Sequence, residues 1–151
     1  MDLRSMLKHI KTGLCLPPEL KNNGSFTGNT YFDTLGLSGV IFLIGTGVTD
    51  AAIGSTAEST PPLVEECDTT NGSYTAVTSA AMAAVIPATA SKMNGIFVDL
   101  TKKHKRYMQV QAPHSANGTT GANLCIMAIG FPSSQMPNSA AEMGLVEFIE
   151  A

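Results

Sequence analysis

The chain has 151 residues and a formal charge of −3, only 14% of it is charged, and it contains no tryptophan. That length fits one domain, which buries roughly 68–70% of its unfolded surface and needs no staple to hold it together. The acidic balance argues against a free-standing nucleic-acid binder, which is usually basic, and apolar runs such as "VIFLIG" fall far short of the ~20 residues of a membrane helix.

The chain opens with a basic stretch, Arg4, Lys8, Lys11 and Lys21, containing the stiff pair Pro17-Pro18. "MDLRSMLKHIK" has no apolar core of the secretory kind, so no leader is expected. Residues 1–22 are read as an extended N-terminal arm that reaches a neighbouring subunit, or as an edge strand near 9–15 followed by a loop. Residues 23–151 are read as one domain.

Beyond the arm, Asn-Gly pairs at 23–24, 71–72, 94–95 and 117–118 are hairpin signals, because both residues tolerate positive φ. Strands are predicted near 30–35, 38–46, 62–67, 73–77, 82–86, 95–100, 106–112, 123–131 and 144–149. "GVIFLIG" at 39–45 and "NLCIMAIGF" at 123–131 are nearly continuous apolar runs and are expected to be buried on both faces. The Ala- and Met-rich stretch at 79–93 has helical propensity, but Pro87 interrupts it and a strand at 82–86 is preferred. Short strands at about ten-residue spacing predict an all-β chain, an antiparallel β-sandwich of jelly-roll-like build.

No chemistry is advertised. His9, His104 and His114 lie in separate segments, and Cys15, Cys67 and Cys125 are widely spaced, so neither a metal site nor a disulfide framework is expected. "EECD" at 65–68 runs into a turn, as a solvated strand end would. No nucleophile elbow, phosphate loop or dinucleotide fingerprint occurs. The expectation is a protein without catalytic residues, metal or cofactor.

"KKHKRYMQVQ" at 102–111 is the densest concentration of positive charge. Lys102, Lys103, Lys105 and Arg106 connect two predicted strands, and Tyr107, Gln109 and Gln111 then alternate with Met108, Val110 and Ala112. Cations at a strand entrance guard an exposed turn against edge pairing. The same residues could grip a phosphate backbone, although a single-strand binder wants several stacking aromatics and Tyr107 stands alone in its strand. An acidic protein surface is the other counterpart. Arg4, Lys8, Lys11, Lys102, Lys103, Lys105, Arg106 and Tyr107 are therefore the candidate partner-binding residues.

The order of "NTYFDTLGLSGVIFLIGTGVTDAAI", "PPLVEECDTTNGSYTAVT" and "IFVDLTKKHKRYMQVQAPHSANGTTGANLCIMAIGFP" resembles a family of tailed-phage structural proteins, over about residues 29–132. Asp33, Asp68 through Val77, Lys105-Arg106-Tyr107 and Thr120-Gly121-Ala122 stand at the matching places. The chain departs from the pattern in the longer connection "AAIGSTAESTPP", in Tyr74 where Trp is frequent, and in its extra tail after Pro132. The resemblance implies a small β-sandwich of the virion, a capsid decoration or cement protein made in the host cytoplasm. Its implied partners are the major capsid protein and further copies of itself, with a trimer favoured at symmetry axes of the shell. A neck or tail component of the same particle is the alternative, and a single-strand nucleic-acid-binding β-domain a more distant one.

Overall fold

The computed structural model describes residues 9–56, 60–88 and 91–132. Arg4, Lys8, the strand expected at 144–149 and the acidic segment from Glu142 to Glu150 lie outside the described residues.

The described residues form eleven strands: β1 (Lys11–Lys21), β2 (Gly24–Ser25), β3 (Phe32–Asp33), β4 (Leu37–Thr46), β5 (Ile53–Ser55), β6 (Leu63–Cys67), β7 (Thr75–Ala81), β8 (Lys92–Asp99), β9 (Tyr107–Val110), β10 (Pro113–Ser115) and β11 (Ala122–Pro132). They are arranged in three antiparallel sheets, in the orders β1-β11-β4-β8, β3-β9-β6-β7 and β2-β10-β5. The chain is all-β, as expected.

Period-two alternation explains how the two larger sheets meet. Val40, Phe42 and Ile44 point inward from β4, and Leu124, Ile126 and Ala128 point inward from β11. From the second sheet Val64, Met108 and Val110 face the same core. Phe32 of β3 sets its ring edge-on to Phe42 of β4, with centroids 6.5 Å apart, and so joins the sheets. This is the layering of a sandwich. The small third sheet closes one end with Ile53 and Pro113.

The prolines of β1 determine where it sits. Pro17 and Pro18 have no N–H for a ladder, which confines such residues to sheet edges and bulges. β1 is indeed an edge strand, and its register with β11 slips between Leu14 and Leu16 and again between Leu16 and Glu19. At the first slip the Cys15 carbonyl turns away to accept the Thr30 N–H at 2.7 Å. Lys11–Lys21 is therefore part of the sandwich and not of an arm, because Cys15 and Leu16 are buried in the common core.

Three other expectations change. Of the four Asn-Gly pairs, Asn71-Gly72 alone joins two strands that pair with each other, β6 and β7. Asn94-Gly95 lies inside β8, where Gly95 stands opposite Leu43 in the middle of the ladder. The strand expected at 82–86 is reduced to one bridge, Ile86 to Ile53, because β7 takes residues 75–81 instead. Finally, β4 and β11 are buried on one face only: Met127 and Phe131 are exposed, and nothing among the described residues covers the outer side of their sheet.

Candidate functional site

The basic stretch folds largely onto the protein itself. The Arg106 guanidinium donates Nε–H and Nη2–H to the two carboxylate oxygens of Asp33, both at 2.9 Å. Lys11 approaches the same carboxylate at 3.8 Å and lies over the Phe32 ring. The Arg106 hydrogen bonds hold the Asp33 carboxyl below its usual range, with Lys11 adding to the effect, and they raise Arg106 in turn. Lys105 donates its backbone N–H to Glu66 at 3.1 Å and its ammonium to the Thr75 hydroxyl at 3.0 Å. His104 Nδ1 meets the same Glu66 oxygen at 2.9 Å.

Of the predicted contact residues, Lys11, Lys105 and Arg106 are thus used to tie β9 to β1, β3, β6 and β7. Lys102 and Lys103 remain exposed at the mouth of an open cleft of about 520 Å³, bounded by the edge strands β7 and β8. Tyr107 is half-buried and gains an aromatic neighbour that its own strand does not provide, Tyr31, with centroids 5.2 Å apart and an interplanar angle of 79°. Edge-to-face rings offer no common stacking platform of the kind that single-stranded nucleic acid uses.

The larger surface is one the sequence reading took for interior. On the outer face of the β1-β11-β4-β8 sheet, residues stand in register rows across the strands. One row is Leu14, Met127, Leu43 and Gly95, and the next is Thr12, Ile129, Ile41 and Phe97. A third is Cys125, Gly45 and Met93. Leu14, Met93, Phe97 and Met127 are 43–64% exposed. By strand alternation, Asp99 at one corner is the single charged side chain at the strand positions of this face among the described residues, with Lys92 at the rim, and the Asp99 carboxylate is taken up by the N–H and hydroxyl of Thr101. Beside Pro18, where the β1 bulges draw that strand away, a shallow depression of about 540 Å³ runs past Gly45, Met93 and Cys125.

A signal for this face was present. Strands apolar on both faces need cover on both, and β4 and β11 are such strands. Another cluster among the described residues belongs to the fold. Asp50 accepts the N–H groups of Thr119, Thr120 and Gly121 at 2.7–2.8 Å, which clamps the loop before β11 and lowers its own pKa. Among the described residues no three His, Cys, Asp or Glu side chains come together in a way that could hold a metal ion, and no helix is long and apolar enough to cross a membrane. No family model matches the chain, and neither the curated proteins nor the solved structures contain a match to it.

Proposed function

We propose that this chain is a non-enzymatic structural protein of a phage head, a decoration or cement protein that binds the major capsid protein lattice in many copies and stabilises the shell. The observation that carries the reading is the outer face of the four-stranded sheet. Contiguous apolar patches of this kind are uncommon on proteins that remain alone and mark surfaces for association. A protein built for assembly needs such surfaces and no catalytic pocket. Repetition across a shell multiplies modest contacts through avidity. The segment order that resembles phage structural proteins gives the reading its particular setting. Lys102 and Lys103, still exposed beside the cleft, fit an acidic surface of the coat.

Single-strand nucleic-acid binding is the weaker reading because Lys11, Lys105 and Arg106 already face Asp33, Thr75 and Glu66. Quantitative mass spectrometry of purified particles tests the proposal by counting this chain against the major coat protein. A ratio near one for one is expected of a decoration protein. A handful of copies per particle would place it in the neck or tail, and absence from particles would refute a virion role.

A further inference from the structure

We propose that the outer face of the β1-β11-β4-β8 sheet is the interface with a second copy of this chain, in an isologous dimer whose twofold axis runs parallel to the strands between β11 and β4. The inference rests on the geometry of the face; it assigns that face to self-association in a dimer, in place of the trimer that the resemblance implies, and leaves the exposed Lys102 and Lys103 for the coat.

The first support is charge. Two copies of a chain with a net charge of −3 repel each other, so a self-contact favours the least charged surface available. On this face the strand positions include one carboxylate, Asp99, which lies at a corner away from the axis and is hydrogen-bonded to Thr101. The second support is size. Four strands about 4.8 Å apart and eight residues at about 3.4 Å each cover roughly 500 Å² in plan. Two such faces together bury about 1,000 Å², which reaches the threshold for a specific interface.

The third support is shape, and it selects the axis. A twofold parallel to the strands keeps each register row at its own height and lays β1 over β8 of the other copy, and β11 over β4. In the first row Leu14 then falls on Gly95 of the other copy, a projecting side chain over a position with none, and Met127 falls on Leu43. In the next row the small Thr12 meets the large, exposed Phe97, and Ile129 meets Ile41. In the third row Cys125 and Met93 already close over Gly45 within one copy, which leaves an apolar floor beside the depression at Pro18. The outer columns thus set Leu14 on a glycine and Phe97 on a threonine, while nearest the axis Met127 with Leu43 and Ile129 with Ile41 make apolar contacts between aligned sheets about 10 Å apart. The arrangement also accounts for Asn94-Gly95 inside a strand, since a side chain at 95 would occupy the space of the incoming Leu14.

The test uses the purified full chain and measures its mass by sedimentation equilibrium from about 1 to 100 μM, a range that brackets a micromolar dissociation constant. A dimer is expected. Met127→Glu and Gly95→Leu should each weaken it by about tenfold or more. Adding Leu14→Ala to Gly95→Leu exchanges projection and hollow, and should recover most of the loss. Circular dichroism and thermal melting confirm that each variant is folded; at position 95 a Cβ meets only the side chains of Ile41, at 3.3 Å, and Leu43, at 3.7 Å, and no backbone. The half-buried Cys125 provides an independent readout. Its reaction with a thiol reagent should slow as wild-type concentration rises, and stay fast in Met127→Glu. A monomer throughout the range, a trimer, or a dimer indifferent to both single substitutions would overturn the proposal. A dimer formed by a chain that is absent from particles would refute the capsid role and leave this inference standing.

Discussion

Asp33 is where the chain's separated cations converge. Its carboxylate receives two hydrogen bonds from Arg106, 73 residues away, and one from the Leu35 N–H, and it lies near Lys11. Arg106 is the leading cause of its lowered pKa. A carboxyl whose folded pKa is depressed contributes stability that is fully present above the unfolded value, about 3.9, and that is lost as pH falls through the lower folded value. The group is partly exposed, so the pair is worth about 1 kcal/mol or less. Asp33→Asn should therefore lower the urea midpoint modestly at pH 7, and the gap to wild type should close as the pH drops below the ordinary carboxylate range. A gap that persists unchanged at pH 2 would show that the carboxylate charge is not what stabilises this corner. The sequence displayed each of these residues but not their convergence. Arg106 and Lys11 looked like contact cations because nothing local indicates which distant carboxylate a strand register will bring beside them. Cys15 shows the same limit: its burial, which raises its thiol to about 11, depends on a bulge that the sequence hints at only through Pro17-Pro18.

At the scale of elements, legibility followed the strength of the apolar pattern more than strand length. β4, β6, β9 and β11 are long or strongly patterned, and alternation or continuous apolarity located them within a few residues. β2, β5 and β10 have two or three residues each, too few for a period, and they pair with one another only because the larger strands bring them together. Turn chemistry misled where long-range pairing overrode it, since Asn94-Gly95 is held extended by its ladder with β4. The loop before β11 closes no hairpin, although Asn117-Gly118 signals one, and the fold shows why it must contain glycine at 121. Gly121 has φ +99, and a Cβ added there would collide with the backbone carbonyl of Lys21. Its N–H also goes to Asp50, the clamp that aligns the start of β11 against β1. Gly121→Ala should cost about 1–3 kcal/mol. It should also speed amide exchange at Thr119 and Thr120 before the rest of β11 is affected. Urea denaturation and exchange measured by mass spectrometry would check both, and an unaltered midpoint would mean that the loop can relax around the added methyl.

On the scale of the whole molecule, the chain separates its charges from its apolar surface. The Asp33 and Glu66 ion pairs and the basic connection lie along β9 and the cleft by β7, with Lys21–Glu19 apart at the end of β1, while the outer face of the β1-β11-β4-β8 sheet is nearly free of charge. The two surfaces should therefore respond to salt in different ways. Contacts between exposed charges fade as the screening length shortens from about 10 Å at 0.1 M to about 3 Å at 1 M, whereas apolar burial is not weakened by added salt. If Lys102 and Lys103 hold an acidic coat surface, raising sodium chloride from 0.1 to 1 M should release the chain from particles while its self-association persists. Lys102→Glu combined with Lys103→Glu should reproduce that release at low salt and leave the fold intact, because neither side chain takes part in the Asp33 or Glu66 clusters. Met127→Glu should do the reverse, weakening self-association while leaving a salt-sensitive attachment to the shell. Sedimentation of particles with bound chain, followed across salt for the wild type and both variants, separates these outcomes. Equal salt sensitivity of both contacts would mean that one surface serves both, and the division of labour between the basic connection and the apolar sheet face would fall.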